Sequence, residues 1–182
     1  SNGLLEEIDF DTGKRRWFVD GLTGNTVASA TVADDLVITG SSAKGHCLAV
    51  RRGGSGNVAE SHVVWKATEA TSSFGSPLVY DGYVYFVSRA GVLNCVDLKS
   101  GEQKWDQRLG ASCWASPIAA EGRIYFFDKE GSTIILPAGG HKEPMTKNTL
   151  TIKGVLYSVA AVDNNFVVRT GSELICLTKK KK

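Results

Sequence analysis

The residue types that most often do chemistry are scattered along this sequence without the spacing that chemistry needs. Its three histidines, His46, His62 and His141, share no motif with one another, and no Cys-x-x-Cys pair suggests a zinc site. The sequence contains neither a Gly-x-Ser-x-Gly nucleophile elbow nor a phosphate-binding loop. We therefore predict no catalytic residue, no metal ligand and no bound cofactor.

Two aromatic residues are better placed to bind a partner. Phe74 and Trp114 each stand two residues before a serine, in the similar stretches SSFGSP (72–77) and SCWASP (112–117). Aromatic side chains that converge at one place are common at binding surfaces. We predict a binding surface at Phe74 and Trp114. The alternative is that the pair packs between repeats.

Both aromatic residues precede a repeated pair of strands. The stretch SPLVYDGYVYF (76–86) is repeated in SATVADDLVIT (29–39), SPIAAEGRIYF (116–126) and SVAAVDNNFVV (158–168). In every copy an acidic residue stands five positions after the serine, at Asp34, Asp81, Glu121 and Asp163. Acidic-Gly and acidic-Asn pairs suit the two-residue turn of a hairpin. Each copy therefore predicts two antiparallel strands.

A third and a fourth strand follow each hairpin. The predicted third strands are GHCLAV (45–50), VLNCVDL (92–98), STIILPA (132–138) and ELICLT (173–178). The fourth strand follows a turn such as DLKSGEQKW (97–105), which has the same Asp, Gly and Trp spacing as DFDTGKRRW (9–17). We expect the acidic residue and the glycine to shape this turn and the tryptophan to supply apolar surface between neighbouring repeats. The residues concerned are Asp9, Gly13, Trp17, Trp65, Asp97, Gly101 and Trp105.

Four short strands over about 40 residues are typical of a β-propeller blade. We predict an all-β fold of four-stranded antiparallel blades, about four of them, in a single domain or half-propeller over residues 1–182. The repeat units cover approximately 3–24 (partial), 25–70, 71–110, 111–150 and 151–182 (partial). The first unit lacks its two inner strands and the last lacks its fourth strand.

The segment GSPLVYDGYVYFVSRAGVLNCVDLKSGEQKW (75–105) resembles the PQQ-like (quinoprotein-type) β-propeller repeat, and the resemblance extends over nearly the whole chain. It implies a bacterial protein in the periplasm or outside the cell, and a ring of seven or eight blades. On that basis the chain is expected to be the C-terminal half of a longer parent, and two copies could associate through exposed blade edges. A closed four-bladed ring is the alternative.

The resemblance implies a non-catalytic scaffold that binds a protein or another macromolecule, with a partner that the sequence does not identify. The alternative is a fragment of a PQQ-dependent quinoprotein oxidoreductase. Such enzymes often carry a pair of adjacent cysteines and a calcium cluster, and the sequence contains no Cys-Cys pair. The family repeat itself is architectural, and a fold does not imply a function.

Charge and hydropathy exclude two classes of partner. The formal net charge of +2 is too small to predict a nucleic-acid partner, and the run Lys179–Lys182 is expected to be a solvated tail. No apolar run approaches the ~20 residues that span a bilayer, so no membrane span is predicted.

Two further features have structural interpretations. Cys47, Cys95 and Cys176 occupy one equivalent position of the third strand, where we expect small buried thiols. Cys113 aligns with Ser73, and no partner is predicted for it. The insert RRGGSGNVAE (51–60) lengthens the first turn, and its glycine and serine content predicts a flexible rim loop.

Overall fold

The computed structural model describes residues 3–178. Its described residues form eighteen β-strands and no helix, so none of them belongs to a helix that could cross a membrane. The all-β prediction is confirmed. The lysine run Lys179–Lys182 lies outside the described residues.

The strands form five sheets, which we name S1 to S5 in chain order. The strands are β1 Leu5–Ile8, β2 Arg15–Val19, β3 Thr31–Ala33, β4 Leu36–Thr39, β5 Cys47–Arg51, β6 Gly56–Asn57, β7 Val63–Ala67, β8 Leu78–Tyr80, β9 Tyr83–Val87, β10 Val92–Asp97, β11 Gln103–Arg108, β12 Ile118–Ala120, β13 Arg123–Phe127, β14 Ser132–Pro137, β15 Thr146–Thr149, β16 Leu156–Val162, β17 Asn165–Thr170 and β18 Leu174–Thr178. S1 contains β1-β2-β6, S2 contains β3-β4-β5-β7, S3 contains β8 to β11, S4 contains β12 to β15 and S5 contains β16 to β18.

S2, S3 and S4 are the predicted four-stranded antiparallel blades. S1 has the third and fourth strands of a blade, β1 and β2, and S5 has the first three. Each inner hairpin turns at the predicted acidic residue. The backbone φ is 52° at Asp34, Asp81 and Asp163 and 50° at Glu121, the left-handed region in which aspartate and asparagine are tolerated best after glycine.

Apolar side chains fill the four spaces between consecutive sheets. Between S3 and S4, for example, Tyr85 and Leu93 of S3 pack against Ile124 and Phe126 of S4, and all four are buried. Equivalent clusters lie between S1 and S2, S2 and S3, and S4 and S5. No such cluster among residues 3–178 joins S5 to S1. S2, S3 and S4 therefore each bury one face on the sheet before and the other face on the sheet after.

The tryptophans of the fourth strands link one sheet to the next. The indole N–H of Trp65 in S2 donates to the carbonyl oxygen of Leu98 in S3 at 2.8 Å. The indole N–H of Trp105 in S3 donates to the carbonyl oxygen of Gly139 in S4 at 3.1 Å. Both acceptors lie in the turn between the third and fourth strands of the next sheet. Trp17 packs against S2.

The glycine of this turn makes room for the tryptophan of the preceding sheet. Gly101 has a φ of +71°, and a Cβ there would lie 2.6 Å from two ring atoms of Trp65. Gly13 has a similar φ of +66°, yet a Cβ there would meet nothing within 4 Å. The two positions share a backbone conformation and differ in their neighbours.

The aspartate at the start of the turn holds it closed. The Asp97 carboxylate accepts the backbone N–H groups of Lys99 and Ser100 at 3.0 and 2.9 Å. Asp9 accepts the backbone N–H and hydroxyl of Thr12 at 2.8 and 2.7 Å. These hydrogen bonds from Thr12, together with the Arg16 guanidinium, lower the pKa of Asp9 to about 2. The S1 turn is therefore already formed without a neighbouring tryptophan.

The insert 51–60 is more ordered than the sequence predicts. Its short strand β6 pairs in parallel with β2, with Trp17 opposite Gly56 and Phe18 opposite Asn57. The N–H of Val58 donates to the Phe18 carbonyl at 2.8 Å, and the Val58 side chain is buried. The prediction of a flexible loop is wrong for this segment, because the outer edge of β2 offers unpaired backbone groups that the insert satisfies. The insert thus ties S1 to S2.

We expect Gly101→Ala to destabilise the protein more than Gly13→Ala. Both variants place alanine at positive φ, at a cost of roughly 1 kcal/mol. Only the Cβ at residue 101 also overlaps the Trp65 ring, which adds about 1–3 kcal/mol for overpacking. Urea unfolding of both variants measures the difference. Equal losses of unfolding free energy would show that the contact between Gly101 and Trp65 is unimportant.

Candidate functional site

Phe74, Trp114 and Tyr157 form a continuous row of aromatic rings across three sheets. The ring centroids of Phe74 and Trp114 are 5.3 Å apart, and those of Trp114 and Tyr157 are 5.6 Å apart. The planes are tilted by 40° and 57°, within the range of favourable aromatic pairs. Phe74 and Trp114 are half-buried and Tyr157 is exposed. The structure brings together the two residues that the sequence singles out and adds a third.

Two loops with a close backbone approach position the first two rings. They run over 68–77, before S3, and over 109–117, before S4. A Cβ at Gly75 would lie 2.8 Å from the Ala115 carbonyl oxygen, so only glycine permits this approach. The Ser76 N–H donates to the Ser116 hydroxyl at 3.0 Å, which ties one loop to the other. Contacts between the two loops therefore set the spacing of the rings.

Tyr157 joins the row because of an irregularity in β16. Leu156 pairs with Thr170 and Ser158 pairs with Arg169, which leaves Tyr157 as the extra residue of a β-bulge. A bulge redirects the side chain of the extra residue. Phe74 and Trp114 stand two residues before their serines, whereas Tyr157 stands one residue before its serine. The repeat alignment therefore placed buried Leu156 at the equivalent position and missed Tyr157.

A cleft lined mainly by polar and charged residues reaches Ser73, the residue before Phe74. It has a volume of about 730 Å³. Its walls come from S2 and S3 and include Glu69, Ser73, Arg89, Asn94 and Asp106. The backbone N–H of Arg89 donates to the Ser73 hydroxyl at 3.0 Å, next to Phe74. Apolar rings and hydrogen-bonding groups are therefore adjacent on one side of the sheets.

A guanidinium group marks the other end of the row. The Cζ atom of Arg169 lies 5.7 Å from the centroid of the Tyr157 ring, a cation–π distance. Arg169 is exposed, and it forms no salt bridge among the described residues. Among the described residues its charge is therefore paired with the Tyr157 ring and with no carboxylate.

The histidines lie apart from this row. The Nδ1 atom of His46 accepts the N–H of Thr23 at 3.3 Å, and His62 contacts the Ser61 hydroxyl at 2.8 Å. His141 is exposed in the turn before β15. Among residues 3–178, no three His, Cys, Asp or Glu side chains are grouped so that they could hold a metal ion.

All four cysteines are free thiols, and three of them are buried. Burial raises the pKa of Cys47 to about 11 and the pKa values of Cys95 and Cys113 to about 12. The prediction of a buried thiol is wrong for Cys176, which is exposed. Its side chain points away from S4, and no described residue packs over that face of S5.

Four-stranded antiparallel sheets that stack face to face, with tryptophan contacts at the S2–S3 and S3–S4 junctions, are the arrangement of β-propeller blades. The family model described as "Outer membrane protein assembly factor BamB" matches residues 1–182. The chain belongs to this family of PQQ-repeat propellers, as the sequence predicts. No curated protein is similar enough to match.

Solved structures share the fold. BamB from Moraxella catarrhalis superposes with a TM-score of 0.77 at 16% identity, covering 100% of this chain and 53% of that one. The computationally designed protein Ika8 gives a TM-score of 0.74 at 10% identity, covering 98% of this chain and 53% of its own. The designed protein Ika4 gives 0.68 at 9% identity, covering 92% and 99%. The chain thus spans about half the length of the first two.

We expect a single cysteine to react in the folded protein at about pH 8, where a thiol with a pKa near 11 is roughly 0.1% ionised. Exposed Cys176 reacts with iodoacetamide or a chromogenic disulfide at once. Cys47, Cys95 and Cys113 react after unfolding. Counting labelled thiols by intact mass gives the result, and Cys176→Ser removes the fast reaction. A second fast thiol would contradict the burial described above.

Proposed function

We propose that this chain is a non-catalytic propeller scaffold that binds an extended segment of a partner protein along the row Phe74, Trp114 and Tyr157. The observation that carries the proposal is the alignment of these three rings, contributed by three consecutive sheets, on one accessible side. Large aromatic side chains supply much of the energy of protein–protein binding.

The surroundings of the row favour a peptide with mixed chemistry. The rings offer stacking and apolar contact to large side chains, and the neighbouring cleft offers donors and acceptors to a peptide backbone. Exposed Arg169 at the Tyr157 end favours a carboxylate in the same segment. A peptide that matches the rings, the cleft and Arg169 has apolar residues followed by an acidic one.

Family membership supports a role in handling other proteins. The family model is named after an outer membrane protein assembly factor. For this chain we therefore propose an extracytoplasmic location and a protein partner. We place it in the periplasm or outside the cell. The sequence that the partner presents is to be identified by the binding experiment.

Selection from a random peptide library displayed on phage tests the proposal. We expect the selected peptides to be rich in aromatic and aliphatic residues and to include an acidic residue. Trp114→Ala should weaken their binding about 30-fold or more, the loss of a hot-spot side chain worth ~2 kcal/mol. Arg169→Gln should weaken only the acidic peptides.

A matched control variant is Phe10→Ala, which removes an exposed aromatic ring from a turn on the opposite side of the sheets. It should leave the peptide affinities unchanged. Peptide-induced changes in tryptophan fluorescence should be lost in Trp114→Phe, because Trp17, Trp65 and Trp105 are buried. Peptides that bind Trp114→Ala as tightly as the wild type would overturn the proposal.

A further inference from the structure

One amide side chain is buried in the face of S3 that packs on S2. Asn94 lies on β10 between Val92 and Val96, and only 5% of its surface is exposed. Side chains alternate along a strand, so Asn94 is on the same face as Val96, which packs between S2 and S3. A buried amide costs free energy unless its hydrogen-bonding groups are satisfied. An amide at this position is therefore unfavourable for folding unless something bonds to it.

The repeat places an apolar residue at this position in the two sheets that follow. When the third strands are aligned, the equivalents of Asn94 are Ile134 in S4 and Ile175 in S5. Ile134 is fully buried between S3 and S4, and half-buried Ile175 packs between S4 and S5. Isoleucine therefore fits the space between two sheets, and the fold itself does not require the amide of Asn94.

The Asn94 side chain lines the cleft between S2 and S3. No hydrogen bond within residues 3–178 uses its carboxamide group. Ser73 also lines the cleft and is 4% exposed, and its hydroxyl accepts the N–H of Arg89. Asp106 is exposed at the rim, directly opposite Asn94 on β11. The cleft therefore has a buried polar floor on which the donors and the acceptor of Asn94 remain free for a ligand.

The chemistry of the cleft favours a peptide group. A carboxamide offers N–H donors and one acceptor oxygen, and a peptide group presents one donor and one acceptor of its own, so the two can form a pair of hydrogen bonds. Arg89 and Asp106 are both exposed in the wall, and neither forms a salt bridge among the described residues. Because their charges are opposite, the cleft favours a group without net charge.

We propose that Asn94 binds a peptide group in the main chain of the partner segment. Its carboxamide N–H donates to the carbonyl oxygen of that group, and its carboxamide oxygen accepts the N–H. The inference rests on the proposed function, because the segment is the one that lies on the aromatic row. Ser73 of the cleft directly precedes Phe74 of the row, so the segment reaches Asn94 at the Phe74 end. Asn94 therefore fixes the position of the segment and does not select its side chains.

Asn94→Ile, which gives S3 the residue of S4 and S5, tests the inference. It should weaken the binding of every phage-selected peptide about tenfold, the factor expected for a lost pair of hydrogen bonds. The acidic residue of a peptide should make no difference, in contrast to Arg169→Gln. Stability to urea should stay the same or rise, because isoleucine fits the equivalent positions. Isothermal titration calorimetry with synthetic peptides gives the affinities.

Two further variants complete this test. Asn148→Ile replaces an exposed asparagine of β15 and is the matched control, which should bind like the wild type. Asn94→Leu has nearly the shape of asparagine, and it provides the comparison if the isoleucine variant is less stable than the wild type. Peptide affinities that are unchanged in the Asn94 variants would overturn the inference.

Peptides with a single main-chain ester test the same contact from the side of the ligand. An ester in place of one amide removes the N–H of that peptide group and weakens its carbonyl as an acceptor. We expect one ester position to weaken binding to the wild type about tenfold and to leave binding to Asn94→Ile unchanged, since the contact is already lost there. If every ester has the same effect on both proteins, Asn94 does not bind the main chain and the inference is wrong.

The two proposals fail in different ways. Peptides that depend on Trp114 and are indifferent to Asn94 would overturn this inference and leave the proposed function standing. A library that yields no peptide dependent on Trp114 would overturn both.

Discussion

The contact of a tryptophan with the turn of the next sheet is the interaction on which the stack depends. A three- or four-stranded sheet has two apolar faces and cannot bury either one alone. Trp65 and Trp105 each cover part of the next sheet and give their N–H to its backbone. Truncating a buried aromatic side chain costs about 3–5 kcal/mol. At the S2–S3 and S3–S4 junctions this contact fixes the position of one sheet on the next.

The aromatic row follows from the same repetition. Loops that enter consecutive sheets run through equivalent positions, so the side chains two residues before the repeat serines Ser76 and Ser116 come close together. The Gly75 approach and the hydrogen bond from Ser76 to Ser116 then set the distance between the Phe74 and Trp114 loops. Contacts of this kind position the two rings before a ligand arrives, and preorganisation lowers the entropic cost of binding.

The fold could be predicted from the sequence because its units repeat, whereas the irregularities of the repeat could not be predicted. Strand order, turns and the tryptophan spacing recur from one repeat to the next, so the weak local signals of the separate repeats support one another. Tyr157 escaped prediction because a one-residue bulge breaks the alignment. The pairing of β6 with β2 was missed because two residues of Gly-rich insert carry no strand signal. Cys176 was predicted to be buried because it is equivalent to Cys47 and Cys95. Burial at this position depends on a sheet packed over it, which a local sequence pattern does not report.

The three rings of the row are not equivalent as binding groups. Phe74 and Trp114 are half-buried in loops that contact each other, whereas Tyr157 is the exposed extra residue of a bulge in β16. A half-buried ring has already lost much of its side-chain freedom, so little more is lost when a ligand packs on it. An exposed ring must be ordered on binding, which costs free energy. Phe74 and Trp114 would therefore contribute more of the affinity for a ligand than Tyr157, although all three rings offer similar apolar surface.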